Sequence, residues 1–252
     1  MKQALFRFYA ELNDFLPPER RAVAFPYAFS GKQSVKHLIE ALGVPHTEVD
    51  LVLINGGPAA FGEHVEDGDR VSVYPVFESF DIASVSRVRP HPLRQTRFVA
   101  DAHLGRLAAY LRMLGFDALY RNDFSDAELP ELASSEHRII LTRDRDLLKR
   151  SAVTHGYFVR ETHYRGQLLE VLRRFDLAGS LAPFTRCLRC NGVLDSVSKE
   201  EVAAQVPPLS REHCDEFQRC RDCRQVYWNG SHHRRMQRFI SQIQTEVKHG
   251  LF

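Results

Sequence analysis

The first 186 residues of this 252-residue chain contain no cysteine; all five cysteines fall after them. That distribution argues against a disulfide scaffold, and paired Cys-x-x-Cys motifs in such a chain are more naturally a metal site. No apolar run approaches the ~20 residues needed to cross a bilayer, so no membrane segment is expected. The opening Met1-Lys2-Gln3-Ala4-Leu5-Phe6 lacks the apolar stretch and small-residue cleavage site of a signal peptide, which reads as a cytoplasmic protein. Charge of one sign is also missing: 34 basic residues against 32 acidic ones leave a net +2, too little by itself to imply nucleic acid.

What is present is ordinary globular material, 44% apolar and 26% charged, long enough for two or three units. Residues 1–82 alternate like strands, in Ala4, Phe6 and Phe8, in Ala22-Val23-Ala24-Phe25, in Val52-Leu53-Ile54 and in Val71-Ser72-Val73-Tyr74. Asn55-Gly56-Gly57-Pro58 and Asp67-Gly68-Asp69 supply turns between them. Ser34 is placed to cap a helix carrying Val35, Leu38, Ile39 and Leu42 on one face and closed by Gly43. The order strand, strand, helix, strand, strand resembles the ubiquitin-like β-grasp fold, a small α+β domain, in particular the sulfur-carrier proteins. Carriers react through a free C-terminal Gly-Gly, whereas Gly56-Gly57 is internal, so the resemblance implies a binding or scaffolding role and a protein partner. Residues 83–96, with Pro90 and Pro92, read as a basic linker. From Ser84 to Arg97 stand Arg87, Arg89, Arg94 and Arg97 with no acid among them, as a solvated linker or as an RNA-phosphate contact.

From residue 97 to 182 strand and helix alternate, which implies an α/β unit with a parallel sheet covered on both faces. Strands are expected at Arg97–Ala100, Ala118–Tyr120, Arg138–Thr142 and Tyr157–Val159. Helices are expected on the Leu104, Leu107, Leu111, Leu114 stripe, from Ser125 through Leu132, at Arg145–Arg150 and over Gln167–Phe175. Ligands gather at the carboxyl ends of such strands. Asp101 follows the first strand, Asp123 the second, and Asp144 and Asp146 the third, so four carboxylates are expected on one edge, where Mg²⁺ or Mn²⁺ finds the oxygen ligands it prefers. Each also has a plainer reading: Asp101 and Asp144 as helix N-caps, Asp123 in a turn, Asp146 as a first-turn acid. Repulsion among clustered carboxylates favours the cation reading. The first turn is Asp101-Ala-His-Leu-Gly105, without the G-x-G-x-x-G of a dinucleotide site.

The stretch from Asp101 to Asp117, DAHLGRLAAYLRMLGFD, with Ile140-Leu-Thr-Arg-Asp-Arg-Asp-Leu-Leu148, resembles the Mut7-C family of RNase domains, which belong with the PIN-like nucleases. The resemblance runs over about 97–245, and such members often carry an N-terminal ubiquitin-like domain. It implies a PIN-like three-layer core and a metal-dependent ribonuclease. Asp101, Asp144 and Asp146 are then Mg²⁺ or Mn²⁺ ligands, with Asp123 as a fourth acid. A glutamate of the kind many PIN nucleases place on a helix has Glu128 and Glu131 as candidates. Asp117, at the start of a strand, reads as structural. Arg106, Arg112, Arg143 and Arg145 are candidates for the RNA backbone, the first two equally for a solvated helix face.

Residues 183–252 read as a zinc ribbon and a C-terminal helix. Cys187, Cys190, Cys220 and Cys223 form two Cys-x-x-Cys knuckles, enough thiolates for a closed, structural tetrahedral Zn²⁺ site. Cys214 stands apart, as a buried filler or as a substitute ligand for Cys220. Val226-Tyr-Trp-Asn-Gly-Ser-His232 also resembles the zinc-binding extension of Mut7-C members. Tyr227 and Trp228 pack on that site or stack on bases, while His232, His233, Arg234, Arg235 and Arg238 make an unusually positive helix start, a candidate RNA contact. Two further readings stay open: a non-catalytic RNA-binding module and a β-grasp protein-interaction adaptor.

Overall fold

The protein is described here by a computed structural model covering residues 1–75, 87–88, 96–125 and 127–249, the side chains of 248 and 249 excepted. In chain order the elements are β1 (Lys2–Phe8), β2 (Phe25–Phe29), α1 (Val35–Ala41), β3 (Val49–Ile54), β4 (Gly57–Pro58), β5 (Arg70–Pro75), β6 (Arg97–Ala100) and α2 (Gly105–Met113). They continue as β7 (Asp117–Tyr120), α3 (Glu128–Ser135), β8 (Ile139–Thr142), α4 (Arg145–Leu148), β9 (Gly156–Phe158) and α5 (Tyr164–Arg174). The last are β10 (Leu194–Val197), α6 (Lys199–Val202), α7 (Pro208–His213), β11 (Phe217–Cys220), β12 (Val226–Trp228) and α8 (Ser231–His249). Contacts gather them into two compact units, Met1–Gln95 with Pro130–Phe158, and Thr96–Leu129 with Val159–Phe252.

In the first unit β2-β1-β5-β3-β4 form one sheet, with β1 parallel to β5 and antiparallel to β2. This is the β-grasp arrangement. The alternation in β1 puts Ala4, Phe6 and Phe8 inside, against Val35, Leu38 and Ile39 of α1 and Val71 and Val73 of β5. The helix starts where Ser34 Oγ accepts the His37 N–H at 3.3 Å and stops at Gly43, whose φ of +99° suits glycine. Asn55 and Gly56 both take positive φ, +51° and +85°, which is what a two-residue hairpin between β3 and β4 requires. The expected strand at Ala22–Phe25 is displaced to Phe25–Phe29. Ala22 lies at φ +56° with its N–H held by Asn13 Oδ1 at 2.7 Å, so the chain turns there. β2 is an edge strand and therefore tolerates Pro26.

The rest of this unit holds β8 and β9, which pair in parallel; all four residues of β8 are buried. Side chains of the β-grasp segment reach this part directly. His46 Nδ1 meets Glu40 Oε1 at 2.7 Å and its Nε2 meets the Val153 carbonyl at 2.8 Å. The buried Glu48 accepts the Phe158 N–H at 2.6 Å, and Phe15 meets the Phe158 ring edge-on at 5.4 Å. Of the basic linker, Arg87, Val88 and Thr96 are described; Arg89 and Arg94 lie outside the described residues.

The second unit contains the parallel pair β6 and β7, followed by helices as the α/β reading expects. Tyr110 of α2 stacks on Tyr164 of α5 at 4.8 Å and meets Phe239 of α8 at 4.9 Å, so three helices share one aromatic contact. Gly115 closes α2 at φ +95°, and a Cβ there would lie 2.1 Å from the Ala182 carbonyl oxygen. Beyond, β10-β11-β12 make a small antiparallel sheet over Val202, Val206, Cys214, Phe217 and Val226. No helix of the described residues is long and apolar enough to cross a membrane.

Candidate metal centre

Cys187 and Cys190 flank one tight turn, and Cys220 and Cys223 another between β11 and β12. The turns are built alike. In each, the residue after the second cysteine, Asn191 or Arg224, takes a left-handed conformation, φ +74° and +62°, and returns its N–H to the carbonyl of the first cysteine at 2.9 and 3.2 Å. The four sulfurs lie within 4.8 Å of one another, with Cys187 to Cys223 at 3.6 Å and Cys190 to Cys220 at 3.4 Å. Among the described residues this is the set of three or more metal-donor side chains so gathered. Gly192 is required beside it, because a Cβ would stand 2.8 Å from Cys220 Sγ and 2.3 Å from Asp222 Oδ2. Cys214 is outside the set and packs in the small core.

Electrostatics press for a cation. Burial raises the Cys187 thiol, but hydrogen bonds from Tyr227 and from the Cys190 and Arg189 amides outweigh it and bring it down to about 7. Burial pushes Cys190 up to about 12, and it raises Cys223 as well. One thiolate forms readily and its neighbours then resist ionising, as expected of coupled sites. A soft dication relieves that conflict, and a tetrahedral four-sulfur set suits one. Tyr227 finishes the surroundings: its hydroxyl lies 3.2 Å from Cys187 Sγ and accepts the Leu188 N–H.

The knuckle is tied to the α/β strands by Arg112, a residue expected on a solvated face or against RNA. It is neither. Arg112 is 3% exposed; its Nε donates to the Ala118 carbonyl at 2.7 Å and its Nη1 to the Leu188 and Arg189 carbonyls, both at 3.1 Å. Asn191 adds a second tie, accepting the Ala118 N–H at 3.0 Å and donating to Asp117 Oδ1 at 2.7 Å. Asp117 is thereby structural, with Arg186 at 3.5 Å on its other oxygen. The ties of Arg112 to Leu188 and Arg189, and of Asn191 to Ala118 and Asp117, join positions more than 70 residues apart, beyond the reach of local sequence patterns. The one local sign was Arg112 adjoining the apolar stripe of α2.

The aspartates sit at equivalent places in the two units. Asp101 follows β6 and accepts the N–H of His103 at 2.8 Å; Asp144 follows β8 and accepts the N–H of Asp146 at 2.8 Å. Both therefore act as N-caps. They differ in burial, since Asp101 is 7% exposed and Asp144 is open to solvent. Tyr120 seats the first loop from the side, its hydroxyl donating to the Ala102 carbonyl at 3.2 Å while its ring occupies the space a Cβ of Gly105 would take. Asp146 is exposed with Lys149 at 3.2 Å, and Asp123 is exposed with Arg121 at 2.9 Å. Glu128 closes a capping box with Ser125, and Glu131 is exposed.

Comparison with known proteins decides the family. The model described as the Mut7-C RNAse domain matches residues 96–240, and the one described as Mut7-C ubiquitin matches residues 1–81. The chain belongs to the Mut7-C RNAse domain family. Among solved structures it is similar to SAMP1 from Haloferax volcanii, 22% identical, covering 31% of this chain and 99% of that one with a TM-score of 0.25. No curated protein matches.

Within the Mut7-C span the expected RNA-facing cations fall into two groups. Arg106 stands 5.3 Å over the Tyr164 ring, and Arg145, in the first unit, lies about 5 Å over both Phe15 and Phe158. Arg143 is half-buried. By contrast His232, Arg234, Arg235 and Arg238, in the first two turns of α8, are exposed, and the three arginine side chains make no hydrogen bond or ion pair with any described residue.

Proposed function

We propose that this Mut7-C chain is a metal-dependent ribonuclease in which Asp101, Asp144 and Asp146, with Asp123 as a fourth acid, hold Mg²⁺ or Mn²⁺, and in which the four cysteines hold a structural Zn²⁺. The match of residues 96–240 to the Mut7-C RNAse domain carries this reading. The equivalent placement of Asp101 and Asp144, each just beyond a parallel strand and at the start of a helical turn, supports it. Carboxylates are the oxygen donors such ions prefer. Asp101, Asp144 and Asp146 would hold the ion, and the chemistry gained with it would be activation of a water and stabilisation of charge at the scissile phosphate. The chain's own part is orientation: the His103 and Asp146 N–H groups each fix one oxygen of a capping carboxylate, Asp101 and Asp144. The Thr142 hydroxyl accepts the Asp144 N–H at 2.9 Å and fixes the loop. Arg143, Arg145, His232, Arg234 and Arg235 supply positive charge for the RNA backbone. The β-grasp domain is assigned to a protein partner, and the chain to the cytoplasm.

Labelled single-stranded and hairpin RNAs incubated with zinc-loaded protein in Mn²⁺, in Mg²⁺ or in neither test the reading. Cleavage that needs the added ion and disappears in Asp101→Asn and Asp144→Asn is the expected result. RNA bound but left intact by wild type and variants alike would favour the binding-module alternative.

A further inference from the structure

The second unit contains a cavity of about 590 Å³ that none of the proposed metal ligands lines, within the size range of small-ligand pockets. Its walls come from the small sheet, the first knuckle and α8. Phe184 and His233, ring centroids 4.3 Å apart, form one side, and Trp228 and Met236 contribute to it as well. Asp215 and Glu216, both exposed, supply its acidic groups. Burial holds His233 below the ordinary histidine range, with Glu216 working in the opposite direction, and the ring offers a flat face.

Next to this cavity runs a stripe of opposite character. Arg234, Arg235 and Arg238 line a shallow groove along α8, and Gln237 borders both the groove and the cavity. The stripe is unfavourable in the protein alone. Its arginines crowd the positive end of the helix dipole, no acid stands in the first turn, and no described side chain pairs with them. A cationic stripe beside an aromatic-walled cavity is the arrangement by which single-stranded nucleic acid is held, phosphates on the cations and bases on the rings.

We propose that the cavity receives an unpaired, amine-bearing nucleobase, cytosine foremost, from a single-stranded RNA whose backbone lies along Arg234, Arg235 and Arg238. The base stacks at Trp228 and His233, and its exocyclic amine donates to the Asp215 or Glu216 carboxylate, the acceptor type suited to cytosine N4. Uracil presents an oxygen at the same position and has no hydrogen there to share with a carboxylate. A duplex keeps its bases stacked on one another and cannot enter. This selection rests on the ribonuclease reading for the identity of the polymer.

Trp228 is the chain's one tryptophan, so it reports on its own site. Zinc-loaded full-length protein, with no Mg²⁺ or Mn²⁺, is titrated with octacytidylate, octauridylate and a blunt duplex of the same length. Intrinsic fluorescence reports stacking, and anisotropy of end-labelled octacytidylate reports binding. The expected result is saturable quenching by octacytidylate, about tenfold weaker binding of octauridylate, and no quenching by duplex. Arg234→Gln with Arg235→Gln should weaken binding about tenfold and lower the salt slope by about two, leaving the quenching at saturation intact. Asp215→Ala with Glu216→Ala, both at exposed positions, should erase the preference for cytosine. Binding with unchanged tryptophan emission, or equal binding of the two oligomers, overturns the proposal while the ribonuclease reading stands. No binding of any RNA at low salt overturns both.

Discussion

Four thiols within 4.8 Å of one another stand in the second unit, whereas Asp101 and Asp144 each stand at the end of a separate strand, already engaged with a backbone N–H. A cation would relieve the first set, because desolvation and the neighbouring sulfurs oppose ionisation of Cys190 and Cys223. The second has a role in either case, since an aspartate that caps a helical turn lowers the free energy whether or not it also binds metal. A structural site can therefore be recognised from its own electrostatic conflict, while a catalytic one built from caps has to be separated from its structural duty by experiment.

Breaking the thiol set should have the largest effect. Cys187→Ser or Cys220→Ser is expected to abolish tight zinc binding and to melt the β10–β12 sheet, seen as lost amide-exchange protection confined to residues from about 185 onward. Arg112→Met should come next, removing three charge-assisted bonds to carbonyls and costing on the order of 3 kcal/mol in urea unfolding of the zinc-loaded protein. A loss below ~1 kcal/mol would show that Asn191 alone secures the knuckle.

The aspartate side of the comparison is sharpened by a substitution that keeps the cap. Asparagine caps about as well as aspartate, so Asp101→Asn and Asp144→Asn should leave the melting temperature within a few degrees while lowering cleavage by on the order of 100-fold. Equal loss of stability and cleavage would reduce both residues to caps. Asp123→Asn, which touches only an exposed pair with Arg121, should leave the melting temperature unchanged.

The smallest effect concerns protons. The depressed Cys187 thiol is protonated below about 7 and ionised above it, whereas burial keeps Cys190 protonated across that range. Zinc binding should therefore release about one proton more at pH 6 than at pH 8, measurable by calorimetry in buffers of different ionisation enthalpy. For the same reason the metal-free protein should gain stability as pH rises from about 7 to 9. A group whose folded value is depressed contributes fully above the unfolded value and loses its contribution as pH falls through the folded one.

Periodicity and turn chemistry made much of this molecule legible. Ala4, Phe6 and Phe8 fixed a buried face of β1, Ser34 and Gly43 bracketed α1, and two Cys-x-x-Cys turns carried a four-sulfur set in their spacing. These are local signals, within the reach of a few residues, so they survive being read along a line. The strand at 22–25 was misplaced because Asn13, nine residues upstream, captures the Ala22 N–H.

What the tertiary structure alone decided are the pairings between distant positions. Arg112 looks like any helix arginine until the carbonyls of Leu188 and Arg189 are brought to it, and burial turns a solvated cation into a clamp. His46 and Glu48 acquire partners at Val153 and Phe158 more than 100 residues on. The cavity beside Trp228 exists only once a sheet, a knuckle and a helix meet. Sequence determined which residues could form elements and bind metal, because those properties are local to the chain. Which charges are buried, and which remain without a partner on the surface of α8, was settled by packing.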